Sequence, residues 1–370
     1  MESLEKIQNN VISCTKCELC KTRKNAVPGK GNKNSEVVFI GEAPGRSEDI
    51  AGEPFVGAAG KKLSDALEHA GISRESVYIT NVVKCRPPKN RVPSQAEKES
   101  CRNYLESEIA LIKPKVICIM GNTAYQSILG GKNITKERGK FVKKDDKLYF
   151  LTVHPAAIIY NQKLMDSLKN DMKKLVNEIK SLWETMKVLP KSFYERNTVK
   201  VAKDLLGKTL VRKTGGKIIS GIITETEAYR HADDPASHAF GGLTDRNKVM
   251  FGHVGIAYVY FTYGMHYCVN AVARSDSYDA GAVLIRSISP KLGINEMIKN
   301  RKISSITNLT NGPAKLTQAM QITKKQYGEN LTKQSSLYIT EGVKPTKIKS
   351  NPRIGIKNGI DKLWNFKMQV

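Results

Sequence analysis

A chain of 370 residues, 40% hydrophobic and 26% charged, has apolar material for two ordinary domains and too much of it for a disordered polymer. Its formal charge of +25 divides into about +9 and about +16 on either side of residue 186, and a surplus shared by both halves points each towards a polyanion, nucleic acid first, because neutralising phosphates releases counterions. The absence of any run of 18 apolar residues excludes a membrane-spanning helix, and the opening Met-Glu-Ser-Leu-Glu-Lys lacks a signal peptide's layout, so a cytoplasmic location is expected.

In chain order, Cys14, Cys17 and Cys20 come first, and Cys85, Cys101 and Cys118 follow in the same half. Inside a cell disulfides are disfavoured, so these read as thiols or ligands. Cys14-x2-Cys17 offers two thiolates from one turn, and Cys85 with Cys101 offers two more, a set suited to a [4Fe–4S] cluster or a zinc ion. Cys20 competes for a place in the N-terminal run, and Cys118 falls in an apolar run and reads as core. Strand-like runs at 37–40, 77–80, 116–120 and 149–153 alternate with helix-like stretches at 61–70 and 95–112, the pattern of a parallel sheet with helices on both faces. Ligands of such sheets gather outside the carboxyl ends of the strands, where Gly41-Glu42, Asn81 and His154 fall. An amphipathic helix follows at 163–184 and Pro190 ends helix formation soon after, so domains 1–185 and 186–370 are expected. Beyond the boundary, strand candidates at 218–226, 256–263, 266–273 and 282–288 are closely spaced and joined by turns. They predict a mostly antiparallel curved sheet in an α+β domain.

Singly, the polar residues of the first half have plain readings: Asn81 caps a turn, Phe55 is core, His154 is structural. Together they stand in Gly41-Glu42-Ala43-Pro44-Gly45, Gly52-Glu53-Pro54-Phe55-Val56-Gly57, Thr80-Asn81-Val82-Val83-Lys84-Cys85-Arg86-Pro87-Pro88 and His154-Pro155-Ala156-Ala157. With these the first half resembles the family 4, thermophile-type uracil-DNA glycosylases over nearly all of residues 1–180. The resemblance implies a three-layer α/β fold and a structural [4Fe–4S] cluster on Cys14, Cys17, Cys85 and Cys101. It implies a uracil flipped out of the stack, with Phe55 against its ring and Asn81 on N3 and O4. His154 would stabilise the charge developing on O2, helped by backbone N–H groups near Glu42 and Ala43. Glu42 and Glu48 are the candidates for placing water at C1′. Tyr160 is a departure, since many relatives carry arginine there, and it leaves the minor-groove wedge open.

In the second half, alternation puts Glu225, Glu227 and Tyr229 on one strand face and Tyr258 and Tyr260 on another. Cross-strand packing is the ordinary reading of such tyrosines. A carboxylate between aromatic walls also suits a water-activating base beside a flat substrate. Residues 186–370 carry Glu225-Thr226-Glu227-Ala228-Tyr229, Ala236-Ser237-His238, Tyr258-Val259-Tyr260-Phe261-Thr262-Tyr263-Gly264-Met265, Cys268-Val269-Asn270, Val283-Leu284-Ile285-Arg286 and Pro352-Arg353-Ile354-Gly355. With these they resemble the alkyladenine (3-methyladenine) DNA glycosylases. The resemblance implies Glu227 as general base, Tyr229, His238 and Tyr260 as pocket walls, and Asn270 as the residue excluding guanine. Tyr263 would wedge into the minor groove with Met265 beside it, and Arg286 would lie near the water and a phosphate. No lysine occupies a nucleophile position in these motifs, so hydrolysis without strand cleavage is expected. The whole reads as a monomeric base-excision enzyme with two sites, acting on damaged DNA, double-stranded first and single-stranded as a second form.

Overall fold

The structure, a computed structural model, describes residues 3–262, 264–303 and 308–368. It falls into two compact units, Met1–Glu184 and Thr185–Val370.

The first unit is built on β1 (Lys30–Gly31), β2 (Val37–Gly41), β3 (Tyr78–Asn81), β4 (Val116–Met120), β5 (Phe141–Lys144) and β6 (Lys147–Thr152). Their order in the sheet is β1-β3-β2-β4-β6-β5. The four central strands are parallel, as the alternation predicts, and β2 and β4 are buried along their whole length. Both edge strands run antiparallel, so the sheet is mixed rather than purely parallel. The β5–β6 hairpin turns on Asp145-Asp146, both with positive φ (48° and 58°), a two-residue turn whose twist matches that of the strands. β5 itself reads Phe-Val-Lys-Lys and is half exposed, which is why hydrophobic patterning does not predict it. Register aligns Gly41 with Asn81, Ile40 with Ile119 and Met120 with Thr152, so the residues after these strands share one edge of the sheet. Helix Gln95–Ile112 opens on a Ser94/Glu97 capping box and carries Cys101 and Glu108 to the core. Helix Leu164–Glu184 buries Leu168, Met172, Leu175 and Ile179.

The second unit holds β7 (Thr209–Thr214), β8 (Lys217–Arg230), β9 (Ala257–Thr262), β10 (His266–Val272), β11 (Gly281–Leu292), β12 (Leu337–Thr340), β13 (Ile348–Asn351) and β14 (Asn365–Met368). The main path is β12-β7-β8-β11-β10-β9, with β14 on β8 and β13 on β14, every pairing antiparallel. β8 and β11 run longer than the sequence predicts, and register shifts along β11 around Arg286 and Pro290 let so long a pair curl. Strands β7 and β12–β14 were not among the predicted ones. The β7–β8 hairpin turns on Gly215-Gly216, again with positive φ at both residues.

Candidate active sites

In the first unit Glu42, Ala43, Glu48, Phe55, Asn81 and His154 all line one pocket of about 390 Å³. Asn81 ends β3 and His154 follows β6. Asn81 Oδ1 and His154 Nε2 are both buried without a hydrogen-bond partner in the protein. Buried polar atoms are rarely left unpaired, so two in one pocket mark where a polar ligand belongs. The Ala156 N–H donates to His154 Nδ1 (3.2 Å), which puts the proton of the neutral ring on Nε2. Burial pushes the His154 pKa down to about 4, against a smaller opposing pull from Glu48, so the ring is neutral at physiological pH.

That depression links the site to stability. As pH falls below about 6.5 the unfolded chain takes up a proton that the folded site refuses until about pH 4. Stability present above 6.5 is therefore lost across that window, by about 3 kcal/mol. Urea unfolding of the wild type is expected to weaken more steeply from pH 6.5 to 4 than that of His154→Asn; parallel curves would refute the assignment.

The Phe55 ring stands 5.7 Å from the His154 ring, inclined by 36°. Below it, a Cβ at Gly41 would lie 2.5 Å from Asn81 Oδ1 and 2.6 Å from Phe55 Cζ, so only glycine leaves this floor open. The Thr123 hydroxyl donates to Glu42, which is half-buried in the pocket wall. Glu48 lines the same pocket and accepts the backbone N–H groups of Gly45 (3.1 Å), Val56 (3.0 Å) and Gly57 (2.8 Å). Tyr160 stands at the pocket mouth, 91% exposed. Thr123 had no sequence signal, since it lies in a helical turn that patterning reads as packing.

All seven cysteines are free, and Cys118 is core in β4. Burial first, then neighbouring thiols, pushes Cys17 and Cys85 up and Cys101 up to about 11. Cys85 feels Cys17 and Cys14, Cys101 feels Cys85 and Cys17, and Cys20 acts on Cys17. Donors face the sulfurs: Arg23 Nη1 to Cys85 Sγ at 3.0 Å and the Lys84 N–H to Cys101 Sγ at 3.5 Å. Among the described residues no three His, Cys, Asp or Glu form a ready set for a single metal ion. A four-iron cluster takes one thiolate per iron and spreads its ligands more widely. Converging thiols met by N–H donors fit such a group.

Beside them lies a buried ion pair, Lys84 Nζ to Glu108 Oε2 at 2.7 Å. Glu108 also accepts from Thr80 Oγ1 (2.8 Å) and the Gly29 N–H (2.9 Å). Glu108→Gln leaves the Lys84 ammonium buried without its counter-charge, so a loss of about 3–5 kcal/mol is expected in chemical unfolding. A loss below about 1 kcal/mol would mean that the pair is dispensable.

In the second unit Tyr229, His238, Tyr260, Asn270 and Arg286 line a pocket of about 470 Å³. Glu227, fully buried, accepts four hydrogen bonds. They come from Tyr229 Oη (2.9 Å), Arg286 Nη1 (3.1 Å), the Ile354 N–H (2.8 Å) and Asn365 Nδ2 (3.0 Å). Arg286 also reaches Glu225 (3.2 Å), so its guanidinium bridges the two carboxylates. Burial, then the Glu227 charge, pushes the Tyr229 phenol well above its ordinary range and keeps it a donor. His238 packs edge-on to Tyr260 (4.6 Å) and pairs through Nδ1 with Tyr258 Oη (3.0 Å); burial lowers its pKa, helped by Arg246. Asn270 is fixed by its Nδ2 on the Tyr258 carbonyl (3.0 Å). Met265 is 69% exposed in the β9–β10 turn and stands apart from the pocket wall. Tyr263 lies outside the described residues. Ile354 and Asn365 escaped sequence reasoning because one acts through its backbone and the other through a register that only β14 on β8 creates.

The family model of the uracil DNA glycosylase superfamily matches residues 28–204, and that of methylpurine-DNA glycosylase (MPG) matches residues 192–370. The chain is 46% identical over 184 residues to a type-4 uracil-DNA glycosylase of Archaeoglobus fulgidus, covering 47% of this chain and 92% of that protein. It is 48% identical over 185 residues to a type-4 uracil-DNA glycosylase of Sulfurisphaera tokodaii, covering 47% and 84%. To a protein of Carboxydothermus hydrogenoformans assigned as a 3-methyladenine DNA glycosylase it is 49% identical over 181 residues, covering 48% and 94%. The chain is thus a DNA glycosylase of two families at once, belonging to the type-4 uracil-DNA glycosylases through its first unit and to the methylpurine-DNA glycosylases through its second.

Proposed function

We propose that one chain excises two classes of damaged base, uracil in the domain of residues 1–185 and alkylated or deaminated purines such as 3-methyladenine or hypoxanthine in the domain of residues 186–370. The reading of the first domain rests on the unpartnered pair Asn81 Oδ1 and His154 Nε2. A flipped uracil lying on Phe55 would give its N3–H to Asn81 Oδ1, which cytosine, lacking that proton, cannot do. His154 would donate from Nε2 to O2, where negative charge collects as the N-glycosidic bond breaks, and the backbone near Ala43 adds to that hole. Glu42 would hold the attacking water, with Glu48, whose oxygens also accept from the backbone, as the second candidate.

In the second domain Glu227 would take the proton of water, with Arg286 and Tyr229 orienting its carboxylate. Tyr229, His238 and Tyr260 would wall a purine, and Asn270 would exclude the 2-amino group of guanine. Tyr263 would fill the gap in the duplex with Met265 beside it. Among the described residues no lysine lines either pocket, in keeping with hydrolysis that leaves the backbone uncut.

Cys14, Cys17, Cys85 and Cys101 would hold a [4Fe–4S] cluster. When bound it would staple the N-terminal segment to the loop after β3 and to helix Gln95–Ile112, a structural service. The substrate is DNA, in keeping with the charge of +25, and we take the enzyme to act as an intracellular monomer. Among the described residues no helix is long and apolar enough to cross a membrane. Single-turnover assays of the full chain on two duplexes, one with uracil and one with hypoxanthine, test the reading. Both bases released with the backbone intact is the expected result, and a chain that never cuts one of them loses that half.

A further inference from the structure

The ring that closes the uracil pocket hangs from a strained backbone. Phe55 has φ 54°, a left-handed conformation that a bulky residue keeps only when its surroundings over-determine it. Both sides of the loop are gripped. Glu48 accepts the N–H groups of Val56 and Gly57. From the other side Arg74 Nη2 donates to the carbonyls of Pro54 (3.0 Å) and Phe55 (2.8 Å), while its Nη1 reaches Ser64 Oγ (3.2 Å) in helix Ala58–His69. That helix closes down on the same peptide: a Cβ at Gly60 would stand 1.8 Å from the Phe55 carbonyl oxygen. Arg74 itself belongs to the short 3-10 turn Arg74–Ser76 and does not line the pocket.

We infer that Arg74 is a positioning residue for uracil excision, holding the Phe55 ring in register with the base that Asn81 and His154 read. The inference rests on the uracil reading above. A planar fork can reach two successive carbonyls and a hydroxyl at once, whereas a lysine ammonium offers a single point of contact. Loss of the fork frees the 54–55 peptides to relax from the left-handed conformation, and the ring moves with them. Base stacking therefore depends on a side chain outside the pocket.

Free uracil is the probe, because its inhibition of the full-length enzyme reports the base pocket without the duplex. Arg74→Met and Arg74→Lys are each expected to raise the inhibition constant of uracil and lower kcat/KM for a uracil duplex by at least about tenfold, with hypoxanthine excision unchanged. In a Phe55→Leu background the same changes should add less than about twofold, since the ring they place is gone. Arg74→Lys keeps the charge and guards against a variant that merely misfolds. An unchanged inhibition constant, or losses that multiply fully with Phe55→Leu, would overturn the inference. A wild type that never releases uracil would instead remove the uracil reading, and this inference with it.

Discussion

Glu227→Gln is expected to lower the single-turnover rate on hypoxanthine by roughly 10²–10⁴-fold and to leave uracil excision untouched. The substitution keeps the shape and removes the charge. Glu227 sits among four donors, two on each oxygen. A glutamine must point its NH₂ at one of those pairs. Facing Ile354 and Asn365 it meets two donors; facing Tyr229 and Arg286, only the tyrosine hydroxyl can turn to accept. At least one pairing is broken in either orientation, at about 1–3 kcal/mol each. The second domain should then melt earlier while still folding, which a rate measured well below that melt separates from lost chemistry. Retained hypoxanthine excision in Glu227→Gln would refute the base assignment. If no purine lesion is cut even by the wild type, the second domain is a DNA-holding module.

His154→Ala is the mirror experiment. A donor aimed at the developing charge on uracil O2 is worth roughly 10²–10³ in rate, so uracil excision should fall by that factor while hypoxanthine excision persists. The ring's neutrality makes the prediction sharper. With its pKa down at about 4, His154 keeps its Nε2 proton available for donation across the working pH range without titrating. The acid limb of a wild-type pH–rate profile should therefore show no break at the ordinary histidine value near 6.5. A break there that vanishes in His154→Ala would mean that the imidazolium does the work.

Chain order and hydrophobic pattern carried the architecture where burial is regular. The runs ending at Gly41 and Met120 are apolar throughout because both their faces are covered, and the helix-like stretch 95–112 matches helix Gln95–Ile112. Strands made by turn chemistry were not legible: β5 depends on Asp145-Asp146 and β7 on Gly215-Gly216, and β5 and β7 carry too little apolar alternation to stand out. At the sites, side chains that point into a pocket could be picked from motifs. Those that work at one remove could not. Arg74 acts on carbonyls nineteen and twenty residues away, and Asn365 reaches Glu227 across 138 residues. Glu48 shows the converse, a motif carboxylate whose partners turn out to be the backbone.

The pairing of β14 with β8 also fixes when each site can exist. Every residue that lines the first pocket is encoded by residue 160, whereas Glu227 waits for the Ile354 N–H and for Asn365. At synthesis rates of roughly 5–20 residues per second, Glu227 stays without two of its four donors for several seconds to about a minute after the first domain has left the ribosome. A nascent chain arrested between residues 230 and 350 would carry the lining of the first pocket whole and Glu227 short of two partners.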